Sequence, residues 1–234
     1  MTQDLNIEFS TQFDTYYNNV TSNQAPGLNV AEKSMFLTKA QYQVVEGLYN
    51  GNLEGHSFEE TEELRRKLDT LINTLEIDTT GETPSSYKPL TANSKFVDLS
   101  DNNVMFITLE EVQYVSTVPC FGGKKINVKP VRQDEYNIIK DNPFRGVTDR
   151  RALRLDYGNK ILEIIPKYEI SKYFVKYLQY PEPIILDDLS GYGVKIEGSN
   201  TENPCKLDKL LHKDIIDRAV LLAKIAWQQT LGNR

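Results

Sequence analysis

Few residues in this 234-residue chain have the chemistry to catalyse a reaction or hold a metal: two histidines, two cysteines and some adjacent carboxylates. His212 follows Asp208 by four positions and lies close to Asp214, so a metal site there is conceivable. Zinc needs three or four such ligands, and no second His or Cys lies at ligand spacing. His56 follows Gly55 in a loop-like stretch and reads as surface. Cys120 and Cys205 form no CxxC pair and read as small buried hydrophobes of a reducing compartment. The run Gly122-Gly123-Lys124-Lys125 suggests a phosphate cradle, but lacks the following helix whose N–H groups such cradles use; it reads as a hairpin turn. Glu110-Glu111 and Asp187-Asp188 are adjacent pairs, and in a strand neighbouring residues point to opposite faces, which is wrong for shared acid–base work. A Ser–His–Asp triad is spatial rather than sequential, yet no GxSxG, GxxxxGK[ST] or GxGxxG context appears. The expectation is a chain with no catalytic, cofactor-binding or metal-binding residue, and an unrecognised hydrolase is the weakest of the functional alternatives.

One charge cluster stands out. Arg145, Arg150, Arg151 and Arg154 follow Asn142-Pro143-Phe144 in a loop leading into a strand. Arginine is enriched at protein interfaces and makes forked contacts to carboxylates and phosphates. Phe144 and the four arginines are therefore candidates for a subunit contact, with a solvated loop as the plain alternative. A second functional alternative is a small DNA-handling accessory protein that binds nucleic acid through this cluster. The whole chain argues against generic duplex binding: its formal net charge is −6, and neutralising phosphates needs surplus Lys and Arg.

The elements that would position these residues fall into an α+β pattern. Leu5, Phe9, Phe13, Tyr16 and Val20 recur at steps of three and four and make one stripe on a first helix. A turn at 23–29, around Pro26 and Gly27, precedes a second helix over 30–49. That helix carries Phe36, Leu37, Ala40, Val44 and Leu48 inward and ends at Asn50-Gly51-Asn52, with Gly51 as a left-handed cap. Ser57 and Glu60 fit a capping box for a third helix, with Leu64, Leu68, Leu71, Ile72 and Leu75 inward and Glu62–Arg66 and Glu63–Lys67 as a solvated face. The Thr-, Ser- and Pro-rich stretch 78–94 reads as a linker. Beyond it the period shortens to that of strands: 96–99, 104–118, 125–131, 153–156, 160–165, 173–180 and a short last one at 184–186. A short helix is expected over 133–140, and Tyr157-Gly158-Asn159 is a second hairpin signal. Pro181-Glu182-Pro183 stops strand pairing.

The last helix, over 208–231, carries one stripe of Leu211, Ile215, Ala219, Leu222 and Ala226. Beside it runs a second of Ile216, Val220, Ala223 and Trp227. A helix apolar over most of its girth is buried on more than one side. The expected architecture is a helical bundle made from the N-terminal helices and the C-terminal helix, with a mostly antiparallel β-domain inserted. The divisions are residues 1–77 helical, 78–94 linker, 95–190 the inserted domain, 191–207 a loop and 208–234 the closing helix. Leu211, Ile215, Ala219, Leu222, Ala223 and Trp227 form its core. Thirteen tyrosines against one tryptophan suit half-buried sheets and interfaces. The N-terminal MTQDLNIEFS is too polar for a secretory signal, so the sequon at Asn19 has no expected use. No apolar run approaches a membrane span.

Four stretches carry a resemblance: AEKSMFLTKAQYQVVEGLYNG, QDEYNIIKDNPFRG, YLQYPEPIIL and CKLDKLLHKDIIDRAVLLAKIA. Together they resemble the head–tail connector, or tail ring, virion proteins of crAss-like tailed phages. The resemblance runs over most of the chain, about 28–226. It implies a non-enzymatic ring subunit, generally twelvefold, stacked below the portal with neighbouring tail ring proteins. Such a subunit joins capsid to tail at the head–tail interface and continues the channel through which genomic DNA passes without specific binding. It implies no cofactor and no membrane. A ring contact is heterologous and needs two different faces per subunit. The arginine loop and the acidic stretch near Glu76 to Glu82 are opposite-charge candidates for them.

Overall fold

The computed structural model describes residues 2–20, 27–51, 62–79 and 87–232, and its architecture is α+β. The chain divides into two compact units. One is built from both ends, Met1–Leu71 and Tyr180–Arg234, and the other from Ile72–Gln179.

The first unit is helical. Helix α1 (Thr2–Val20) buries Phe9, Phe13 and Tyr17. Helix α2 (Val30–Tyr49) has the bounds expected from its periodicity and buries Leu37, Ala40, Val44 and Leu48. Its start is fixed by a reciprocal capping box. The Asn29 side chain accepts from Glu32 N, and the Glu32 carboxylate accepts from Asn29 N, both at 2.8 Å, which satisfies two otherwise orphaned donors. Gly51 takes the left-handed conformation (φ 73°) just past its end. Helix α3 is described over Glu62–Lys67 and buries Leu64; the Ser57–Glu60 cap, His56 and the turn at Pro26 lie outside the described residues. Helix α5 (His212–Gly232) packs against α1 and α2. Leu211, Ile215 and Ala219 are fully buried and Ala223 nearly so, while Leu222 and Trp227 are half-buried. The expectation for α5 is burial on more than one side; within one chain it contacts α1 and α2 and leaves part of its apolar surface exposed. Leu221 and Ile225, one turn apart on α5, are 46% and 41% exposed.

Between Pro183 and Leu186 the chain enters this unit as a buried extended strap. A strand was expected at 184–186; instead Ile185 makes a single bridge to Asn203 and joins no sheet. The physical reason is that side chains replace the ladder. Thr38 Oγ1 donates to Ile184 O (3.2 Å) and accepts from Ile184 N (3.1 Å), and Ser34 Oγ accepts from Leu186 N (3.1 Å). Gln41 Nε2 donates to Glu182 O, and Asn203 Nδ2 to Pro183 O. Ser34, Thr38 and Gln41 lie at steps of four and three, hence on one face of α2.

The second unit is a curled, mixed seven-strand sheet among the described residues. Its strands are β1 (Ile72–Asp78), β2 (Lys95–Asp98), β3 (Val104–Tyr114), β4 (Lys125–Pro130), β5 (Arg151–Asp156), β6 (Ile161–Ile165) and β7 (Ile170–Gln179), in the order β1-β7-β3-β4-β5-β6-β2. All neighbours are antiparallel except β4–β5, which is parallel. The crossover between β4 and β5 carries a short helix, α4 (Tyr136–Ile139). Register shifts along β3 bend the strand as bulges do. Val112, Tyr114, Ala152, Ile164, Ile170 and Tyr173 form the core on one side, and Tyr136, Ile139, Leu153, Leu155 and Ile165 on another.

Strand β1 corrects the helical reading of Ile72 and Leu75. Both fit a helical step of three and four from Leu64 and Leu68. However, Ile72–Asp78 alternates in burial and pairs with seven consecutive residues of β7. Ladder bonds to a distant partner outweigh a weak local propensity. Glu76 pairs with Lys172 across that ladder. The end of the linker is also fastened: Leu90 N donates to the fully buried Glu163 carboxylate (2.7 Å), which also accepts from Tyr157 Oη (2.7 Å). Burial, and then that hydrogen bond, push the Tyr157 phenol up to about 12.

Two variants test the helical unit. Ala223→Asp places an unpaired carboxylate on the buried face of α5 and is expected to cost roughly 3–5 kcal/mol, read as a lower urea midpoint. Thr38→Val leaves the Ile184 N–H and C=O buried without partners, and is expected to lower unfolding free energy by about 1–3 kcal/mol despite its similar shape.

Candidate subunit interface

Among the described residues considered for chemistry, several make structural contacts. The His212 ring packs edge-on against Phe9 with centroids 4.9 Å apart, and its Nε2 lies 3.1 Å from Leu207 O. Among the described residues no three metal-ligating side chains converge. Cys205 is buried, and burial pushes its thiol up to about 11. Cys120 is exposed, contrary to the sequence reading, and lies at a positive-φ position in the surface connection between β3 and β4. In that connection Gly123 has φ +71° and a Cβ at Gly122 would lie 2.2 Å from Ser116 O. The Gly-Gly pair therefore shapes a turn. Glu110 and Glu111 do part to opposite faces: Glu110 is buried, and Glu111 is half-buried.

The arginine cluster separates into two groups. Arg154 lies on β5 with its side chain only 14% exposed, and its Nη1 binds Glu110 Oε2 at 2.8 Å. Tyr173 Oη donates to the other Glu110 oxygen at 2.5 Å. Burial and the Glu110 charge raise the Tyr173 phenol far above its ordinary value, so it remains a donor. Arg154 is thus the counter-ion of a buried carboxylate beneath β3. Sequence gave no sign of this pairing, because the partners are 44 residues apart.

Phe144, Arg145 and Arg150 stay together on the loop between α4 and β5, with Arg151 opening β5 beside it, and this loop is rigidly built. Asn142 Oδ1 accepts from Phe144 N (2.8 Å) and Arg145 N (3.1 Å), and Gly146 N donates to Asn142 O (2.7 Å). Arg151 Nη1 donates to Phe144 O, so this guanidinium braces the loop from below. Asp149 binds Lys167 at 2.8 Å; that ammonium, with Tyr168 as a lesser donor, holds its carboxyl below the usual range. Gly146 is required by close approach: a Cβ there would meet Asn142 O, Lys140 O and Ile139 O at 2.6–2.8 Å.

The brace displays what the loop does not use. Phe144 is 84% exposed, and Ile138 on α4 is 77% exposed. Lys140, Arg145 and Arg150 are exposed and have no carboxylate within ion-pair distance among the described residues. Asp141 is the one acid among them left unpaired. A large apolar side chain held out by a hydrogen-bonded loop, with unpaired cations beside it, has the makeup of an interface anchor. Gly146→Ala is expected to cost about 1–3 kcal/mol through overpacking against backbone. It should also raise amide exchange at Phe144 and Arg145, which Asn142 protects; unchanged exchange would show that the loop is not braced in this way.

The chain matches the phage tail ring protein 3/4 family over residues 1–234. It is 40% identical over 235 residues to "Ring protein 3" of Bacteroides phage crAss001, covering 98% of this chain and 99% of that one. It is 33% identical to "Ring protein 4/5" of the same phage, covering 96% and 94%. These matches bear out the resemblance to crAss-like phage tail ring proteins, and they describe structural virion components that assemble as rings rather than enzymes. With a family match over residues 1–234 and relatives matched nearly end to end, the chain belongs to the phage tail ring protein 3/4 family.

Proposed function

We propose that this chain forms a homo-oligomeric ring, twelvefold, in the head–tail connector below the portal. There it joins capsid to tail and continues the DNA channel, between the portal protein and neighbouring tail ring proteins. The observation that carries the ring reading is the Phe144 loop: an 84% exposed aromatic on a braced turn is costly to leave in water and gains most when a neighbour covers it. Phe144, Arg145, Arg150 and Arg151 remain the contact residues of this reading. Arg154 supports the loop's strand through Glu110.

In this reading the helical unit is a bundle that closes when the C-terminal helix joins the N-terminal ones, through Leu211, Ile215, Ala219, Leu222, Ala223 and Trp227. The sheet unit is an insertion between its halves. Genomic DNA passes through without specific binding, which suits a net charge of −6. The nucleic-acid-binding alternative is weakened because Arg154 is held by Glu110 and Arg151 by the Phe144 carbonyl.

Purified virions should contain the chain by mass spectrometry. The recombinant protein, mixed with its neighbouring ring proteins, should sediment as a closed ring particle. Virions without the chain, or a chain that stays monomeric with its neighbours at every concentration, contradict the proposal.

A further inference from the structure

A ring built by a heterologous contact needs an acceptor face as well as an anchor. Of the acidic stretch near Glu76, Glu76 itself is already paired with Lys172 on β7, and Glu82 lies outside the described residues. The helical unit offers a second candidate face. A groove of about 650 Å³ runs between α2 and α5, lined by Gln43, Val44, Glu46, Gly47, Asp214, Asp217, Arg218 and Leu221. Its apolar part is Val44, the bare backbone of Gly47 and the half-exposed Leu221, with exposed Ile225 one turn beyond. Its rim carries Glu46, Asp214 and Asp217, all exposed, and none within ion-pair distance of a cation among the described residues. Arg218 is the one cation in the groove, and its Nε is engaged by Gln43 Oε1 at 2.7 Å.

We propose that the loop bearing Phe144, Arg145 and Arg150 of one copy docks into the α2–α5 groove of the next copy around the ring. This rests on the ring reading above and names the two faces that meet. The match is both apolar and electrostatic. Phe144 and Ile138 present apolar surface, and Leu221 and Ile225 present the same on the other side. Three cations without an ion pair, Lys140, Arg145 and Arg150, with unpaired Asp141 and the Lys167-paired Asp149 among them, face three unpaired carboxylates with one engaged guanidinium. Each feature is anomalous in an isolated chain, and each removes the anomaly of the other. The two surfaces differ, so the contact is head-to-tail and propagates, which a closed ring requires. The acidic rim also disfavours docking of a second groove on the first, since like charges oppose that pairing.

The test uses charge reversal on the full chain, assembled with its ring neighbours. Arg145→Glu with Arg150→Glu, and separately Asp214→Arg with Asp217→Arg, should each raise the concentration needed for ring assembly about tenfold or more, while leaving the urea midpoint unchanged. Combining all four in one chain restores opposite charges across the contact and should recover assembly. If wild type assembles and both reversals assemble equally well, the docking is overturned and the ring reading survives. The docking is also overturned if the reversals block assembly but their combination does not recover it, because the two faces then meet other partners. If the wild-type chain forms no ring with its neighbours, the ring reading fails and the docking falls with it.

Discussion

The helical unit depends on how it satisfies a buried strap. Residues 184–186 run through its interior in extended form, with Ile184 and Ile185 fully buried and no sheet to pair with. A buried peptide group without a hydrogen bond costs about 1–3 kcal/mol, so several in a row would exclude this path. Ser34, Thr38 and Gln41 remove that cost by taking the place of a neighbouring strand. Helical spacing lets one helix face do this. The same choice commits the remaining faces of α2: Leu37, Ala40, Val44 and Leu48 go to the core, and Gln43 and Glu46 are left beside α5. The groove between α2 and α5 is therefore a consequence of the strap.

In the sheet unit, ionic side chains are divided between holding the fold and facing outward. Glu110 and Glu163 are buried carboxylates, and each is fully served: the first by Arg154 and Tyr173, the second by Leu90 N–H and Tyr157. Removing one partner from such a pair is more costly than the pair's net contribution, so these groups fix geometry more than they add stability. Arg151 acts similarly on the Phe144 loop. What remains outside is a small set of unpaired cations around an exposed aromatic.

Sequence made some of this legible and hid the rest for identifiable reasons. Helix α2 was readable because its apolar period and Gly51 agree, whereas the Asn29–Glu32 capping box was not read from the sequence. The turns at Gly122-Gly123 and Gly158 were readable because positive φ at Gly123 and Gly158 and close backbone approach at Gly122 select glycine. Strand β1 was misread because Leu64, Leu68, Ile72 and Leu75 satisfy a helical step, while the deciding ladder comes from β7, about a hundred residues on. The strap was misread as a strand because Ile184-Ile185-Leu186 has strand composition, and its partners are hydroxyls on a helix. The arginine loop was found from composition, but composition could not show that Arg154 belongs to Glu110 or that Arg151 is a brace. The groove joins residues some 170 positions apart, which no local pattern reveals.

The most direct measurement is a cryo-EM map of the ring within the virion, at a resolution that shows side chains. The account predicts Phe144 of each copy covered by α2 and α5 of the adjacent copy, with Arg145 and Arg150 against Glu46, Asp214 and Asp217. A ring in which Phe144 stays in solvent, or in which the α2–α5 groove is filled by another protein, would contradict it.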